Sequence, residues 1–133
     1  MSDTTSKISE AAEPDYDRLL RANLERVFNE RDAERRAAAL AELFVEEPVM
    51  YEPDNVVQGR DAISAVAGAL LDRFGPIFRF TPAGTAVGHH GFGSLQWQAG
   101  DEGGSVTVTG SDVAEVVHGR IARLWVLLNP PEA

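Results

Sequence analysis

One dipeptide, Gly75-Pro76, divides this chain into two halves with different hydrophobic periods. Before it, apolar residues recur at helical spacing. After it, they alternate or run in short β-rich blocks. A chain whose helices precede most of its strands does not build alternating βαβ units. The expected fold class is therefore α+β: three N-terminal helices packed on a strongly curved, mostly antiparallel sheet, a cone-shaped α+β barrel. Pro14-Asp15 opens the first helix, with Tyr16, Leu20, Leu24, Val27 and Phe28 on one stripe. Asp32 is placed to cap a second helix, whose stripe is Ala37, Leu40, Ala41 and Phe44. Glu46-Glu47-Pro48 is expected to stop it. Val49-Met50-Tyr51 reads as a short strand and Glu52-Pro53-Asp54-Asn55 as a turn. Residues 62–74 form the third helix. Strands are expected over 77–81, 85–89, 91–98, 106–117 and 121–128, with turns at 99–104 and at His118-Gly119. Glycines at 88, 91, 93 and 110 are places for bends.

Such a chain has room for a single domain, expected over residues 14–129 of its 133. Residues 1–13 read as a disordered tail. There is no cysteine, which excludes disulfides, thiolate zinc sites, iron–sulfur clusters and a cysteine nucleophile. The net charge of −9 disfavours nucleic acid and anionic membranes as partners. No apolar run approaches the ~18 residues of a membrane span. The first residues, MSDTTSKISEAAEPD, lack an apolar signal core, so a cytoplasmic location is expected.

A curved sheet closed over helices leaves an open mouth suited to a small ligand. Asp112 is the most informative candidate for that site. Alternation puts it on one face with Val106, Val108, Ala114 and Val116. A carboxylate among valines is desolvated, so its pKa rises and it can donate a hydrogen bond at neutral pH. The alternative is a structural Asp bonded to backbone groups or to Asn23. Glu52 is the candidate base at the mouth, with Asp54 as competitor; it also reads as an exposed turn acid. Tyr51 can point a phenol inward or sit as a half-buried strand aromatic.

His89 and His90 are neighbours on one expected strand, so their rings should face opposite sides and cannot share a metal. One of them is a candidate general base. His118 precedes a turn glycine and should be exposed. No metal site is expected. Trp97 can line the pocket or an interface. Trp125 is assigned to the outer sheet face, where an exposed aromatic favours a homodimer packed sheet to sheet.

Several stretches, in order, resemble the nuclear transport factor 2-like superfamily, and within it the SnoaL-like and ketosteroid isomerase-like group. They are Arg31-Asp32 between two helices, Leu43-Phe44 before Glu-Glu-Pro, Tyr51-Glu52-Pro53, Gly59-Arg60-Asp61-Ala62-Ile63, and Gly110-Ser111-Asp112 through Gly119-Arg120-Ile121. The resemblance covers residues 16–128. It implies a cone-shaped α+β fold and a pocket for a small hydrophobic molecule. It places Glu52, beside Pro53, where ketosteroid isomerase has its base. It places Asp112 where that enzyme has a protonated aspartic acid. Leu24 stands in place of the enzyme's first-helix tyrosine. Leu124, Val126 and Leu128 match pocket positions of the isomerase on the last strand; Ala114 and Val116 join them from the apolar face of Asp112.

The expected function is cofactor-free acid–base chemistry, an isomerisation, cyclisation or dehydration on a small hydrophobic carbonyl compound. Asp112 and Glu52 would be catalytic. Tyr51, Trp97, Ala114, Val116, Leu124 and Val126 would line the pocket. The alternative is a non-catalytic ligand-binding or dimerisation domain.

Overall fold

The structure is a computed structural model that describes residues 13–131. Most of the expected N-terminal tail, residues 1–12, lies outside them. Helix α1, Tyr16–Asn23, is capped by Asp15, whose side chain accepts from the Arg18 amide at 3.0 Å. It continues into a five-residue π-helical turn, Leu24–Phe28, closed by the Asn29 amide donating to Leu24 O at 2.8 Å. Helix α2, Ala33–Leu43, starts on Asp32, which accepts from the Arg35 amide at 2.9 Å. Strands β1, Phe44–Glu52, and β2, Asn55–Gln58, form a hairpin. Helix α3, Arg60–Phe74, ends at Gly75. Strands β3 (Phe78–Pro82), β4 (Val87–His89), β5 (Phe92–Asp101), β6 (Val106–Val117) and β7 (Arg120–Leu128) complete the fold.

These strands make one sheet of order β2-β1-β7-β6-β5-β3, with β4 paired to β5. All pairs are antiparallel except β1 with β7. The three helices cover its concave face. Their apolar stripes (Leu20, Leu24, Leu40, Ile63) enter one buried cluster with Phe44, Met50, Leu95, Ile121 and Leu124. The α+β class and curved sheet agree with the sequence reading.

Two details differ. Glu46-Glu47-Pro48 does not lie between helix and strand. The helix ends at Leu43, and β1 runs through Pro48. The pairing of β1 with β7 is interrupted between Phe44 and Val49, so the proline falls where no regular ladder needs its amide. Val106 is not on the inner face with Asp112. A register shift between Ala99 and Gly100 offsets the start of β6, and Val106 is half exposed.

The residues of the two arginine motifs hold the layers together. The Arg60 guanidinium donates to Phe44 O at 2.9 Å and Val45 O at 3.0 Å, tying the start of α3 to the end of α2. Arg31 donates to Gly75 O at 2.9 Å and Phe78 O at 3.0 Å, where α3 turns into β3. Phe44 and Gly75 are the caps of α2 and α3, and carbonyls at a helix C-terminus lack partners within the helix, so the bonds to these two fill a real deficit. Arg31→Met keeps the side chain's bulk and removes its donors. It is expected to lower stability by about 1 kcal/mol in urea denaturation.

Candidate active site

The open end of the curved sheet encloses a cavity of about 290 Å³. The π-helical turn supplies Leu24 and Phe28 to its wall. The C-terminal part of α3 supplies Leu70, Arg73 and Phe74, and β3 supplies Phe78 and Phe80. The aromatic side is a run of edge-to-face contacts: Phe78 to Phe80 at 5.4 Å between centroids, and Phe80 to Trp97 at 5.4 Å. Phe74 stacks on Phe78 at 4.5 Å across the Gly75-Pro76 break.

Asp112 opens onto this apolar space from β6 and is 3% exposed. Trp97 sits beside it on β5 and donates its indole N–H to Asp112 Oδ1 at 2.9 Å. The Asn23 amide, at the end of α1, donates to Oδ2 at 3.5 Å. Burial among apolar groups pushes the Asp112 pKa up to about 7; the Trp97 and Asn23 hydrogen bonds oppose that rise and do not cancel it. Asp112 can therefore hold its proton near neutrality and present it as a donor.

Glu52 is the last residue of β1, half-buried, and lines the same cavity. One apolar cavity thus carries two carboxyl groups, Asp112 and Glu52, one of them fully enclosed. Trp97 and Val126 line it with them.

The other residues singled out in the sequence lie elsewhere. Tyr51 is next to Glu52 on one strand, so alternation turns it to the outer face, where it stacks on Trp125 at 5.1 Å. Ala114, Val116 and Leu124 share the inner face with Asp112 but join the closed core and do not line the cavity. Asp54 is an exposed turn residue. His89 and His90 do not face opposite sides. β4 ends at His89, His90 takes a φ of 54°, and the two Nδ1 atoms meet at 2.8 Å on the exposed tip of the β4–β5 hairpin. Neither lines the cavity. Among the described residues, no group of three or more His, Asp or Glu could hold a metal ion. A surface trough of about 670 Å³ beside the start of β6 and the Asn129-Pro130-Pro131 segment carries no titratable side chain.

Sequence reasoning missed Phe28, Phe74, Phe78 and Phe80 as walls, and Arg73 as a charged group lining the same cavity as Glu52. Phe28 was legible only as a stripe residue. Phe78 and Phe80 join the wall only once β3 pairs with β5, and Arg73 and Phe74 reach it from the end of α3.

Residues 21–124 match the family model of the SnoaL-like domain. The chain belongs to this family. Its fold is shared with a nuclear transport factor 2-like protein from Cytophaga hutchinsonii, 12% identical over 90% of this chain and 95% of that one, with a TM-score of 0.64. A protein from Agrobacterium tumefaciens, described as an isomerase candidate of the SnoaL-like family, is 27% identical. The match covers 87% of this chain and 98% of that one, with a TM-score of 0.80. A polyketide cyclase candidate from Sinorhizobium meliloti is 17% identical over 82% of this chain and 93% of its own, with a TM-score of 0.64. A ketosteroid isomerase candidate from Kribbella flavida is 18% identical over 90% and 84%, also at 0.64. These last two share the fold with this SnoaL-like domain, and a shared fold does not carry a reaction with it. No curated protein is similar enough in sequence to count as a match.

Proposed function

We propose that this SnoaL-like domain binds a small, flat, apolar carbonyl compound and moves a proton next to its carbonyl, without a cofactor. The observation that carries the reading is the pair of carboxyl groups, Asp112 and Glu52, on one apolar cavity wall. Asp112, which keeps its proton up to about pH 7, donates a hydrogen bond to the substrate oxygen. As the enolate forms, negative charge grows on that oxygen and the bond strengthens. Glu52 takes the proton from the adjacent carbon and can return it elsewhere, which gives an isomerisation or a ring closure. The aromatic walls hold the substrate flat and exclude water. The 27% identical isomerase candidate of the SnoaL-like family from Agrobacterium tumefaciens supports this reaction class.

The second reading is binding without turnover. It is favoured by Leu24, an apolar side chain on the cavity wall where the resemblance to ketosteroid isomerase puts a tyrosine.

The two readings separate without knowledge of the natural substrate. 2-Tetralone is a flat bicyclic ketone with exchangeable protons beside its carbonyl. Incubated in D2O and followed by proton NMR, it is expected to lose those protons faster with the protein than without it. Glu52→Gln should reduce the enhancement by ~10²-fold while 2-tetralone still binds. Binding with no enhancement establishes the second reading.

We extend the reading to a homodimer formed through the outer sheet face. There Trp125 stacks on Tyr51 and lies 6.2 Å from Phe92, itself 49% exposed, and Leu127 is 50% exposed. Sedimentation at micromolar concentration is expected to give twice the chain mass of 14.4 kDa, and Trp125→Lys the single mass. A wild-type mass near 14.4 kDa rejects the dimer. Among the described residues no helix is long and apolar enough to cross a membrane, and we expect the dimer to work in the cytoplasm.

A further inference from the structure

Asp112 is bonded on both sides by side chains of unequal ability. The Trp97 indole N–H can only donate, so Asp112 Oδ1 is an acceptor whether the acid is charged or neutral. The proton of the neutral acid is left with Oδ2. That oxygen faces the Asn23 amide at 3.5 Å. Asn23 is fully buried, comes from α1, and is not part of the cavity wall. Its own Oδ1 is buried without any hydrogen-bond partner.

While the amide donates to Asp112 Oδ2, its own oxygen has no partner, so the bond to Asp112 is the side chain's one hydrogen bond among the described residues. An amide offers one of two ends to Oδ2. With its N–H2 end forward it donates to Oδ2, and the acid's O–H has to point away from Asn23, into the cavity. With its oxygen forward it accepts that O–H and holds it in the protein. The hydrogen-bond pattern shown has the N–H2 end forward.

We propose that Asn23 is a positioning residue of this site: together with Trp97 it confines the Asp112 proton to Oδ2 and turns that O–H toward the cavity. The inference rests on the reading of Asp112 as donor to a substrate carbonyl. It adds a residue that touches no substrate and acts through Asp112. Leu24, the next residue, begins the π-helical turn and lines the cavity. The chain therefore sets an amide against the acid and an apolar wall against the ligand with two consecutive residues. The other titratable side chains on the cavity wall are Glu52 from β1 and Arg73 from α3. Neither is a hydrogen-bond partner of Asp112.

Two variants of the full chain test the inference with two readouts. The first readout is the binding preference for 2-tetralone over tetralin, the same ring system without the oxygen. At pH 6 the wild type is expected to prefer the ketone by about 10-fold, the size of one good hydrogen bond. Asn23→Asp places a second carboxyl against Oδ2. Two carboxyls that close share one proton, which draws the O–H away from the cavity. The preference should fall to near unity. The second readout is the titration of the Asp112 carboxyl, followed by carbon NMR. Asn23→Leu fills the space and removes the donor, so the midpoint should rise by about one pH unit above the wild type's.

An Asn23→Asp protein that keeps the full preference overturns the inference. So does an Asn23→Leu protein whose Asp112 titrates as in the wild type, because Asn23 is then only filler. If Asn23→Asp does not fold, the Asn23→Leu titration decides alone. A wild type with no ketone preference defeats the donor role of Asp112, and this inference with it. A wild type with the preference, unchanged in Asn23→Asp, defeats only the role of Asn23.

Discussion

Asp112→Asn is expected to gain stability relative to the wild type as pH rises from 4.5 to 7.5. The unfolded chain releases this proton near pH 3.9, whereas the folded chain holds it to about 7. Between those values the native state binds more protons than the unfolded state, so stability falls as pH rises. The favourable contribution is complete below the unfolded pKa and is lost as pH rises through the folded one. Across the interval from pH 4.5 to 7.5 the loss from this one group is on the order of 3 kcal/mol. Asparagine does not titrate and escapes it. Glu13, Asp17, Glu30 and Glu42 have pKa values lowered by hydrogen bonds and add the opposite trend, lost as pH falls. They are common to both proteins and cancel in the difference. Paired urea curves at the two pH values measure it. A variant that loses ground at pH 7.5 would mean an ionised Asp112 held by its donors. Proton exchange on 2-tetralone should fall by ~10²-fold in the same variant, because the growing enolate loses its acidic donor.

Gly110→Ala is expected to cost about 2–3 kcal/mol, the range of an overpacked core. Gly110 lies opposite Trp97 on the neighbouring strand. A methyl group there would collide with the backbone oxygen of Leu127 and reach Trp97 Cζ2 at 2.7 Å. Neither neighbour can swing away freely, since Leu127 O belongs to the sheet and the indole is wedged against Phe80. The same shift would pull the indole N–H off Asp112, so the Asp112 titration should move upward as stability falls. Gly104→Ala brings its methyl within 3.3 Å of the Asp101 carbonyl oxygen, a tight contact that an exposed turn relieves by a shift of a few tenths of an ångström, and should stay within about 0.5 kcal/mol of the wild type. Equal losses in both variants would remove the special place given to Gly110.

The order of helices and strands was legible because period 3.6 marks the three helices and period 2 the strands after Gly75; between α2 and α3 only Val49-Met50-Tyr51 was read as strand, and the β1–β2 hairpin, with its short second strand, was not. The inner position of Asp112 was legible for a local reason: alternation along β6 fixes its face. The same rule, applied to Tyr51 and Glu52, separates them, since neighbours on a strand cannot both face one cavity. The bend at His90 was not legible, because a left-handed residue breaks alternation with no signal of its own beyond the glycine that follows. The aromatic wall was hidden for a different reason. Phe74, Phe78 and Phe80 are close in sequence, but they reach Trp97 only through the pairing of β3 with β5, which no local pattern encodes. Asn23 was named from the sequence as a bonding partner of a structural Asp112, and that bond is present; its unpaired oxygen was not legible.

The two arginine clasps have a consequence for traffic through the cavity. Helix α3 is moored at its first residue by Arg60 and just past its last by Arg31, and its C-terminal end forms the rim through Leu70, Arg73 and Phe74. A rim fixed at both ends does not swing like a hinged cover. Passage is left to rotation of the exposed side chains Phe74 and Leu128, which takes picoseconds to nanoseconds. A compound narrow enough to slip past them exchanges quickly, and its dwell time is set by how well it fits inside. A bulkier one is turned away at the doorway, whatever its affinity for the interior.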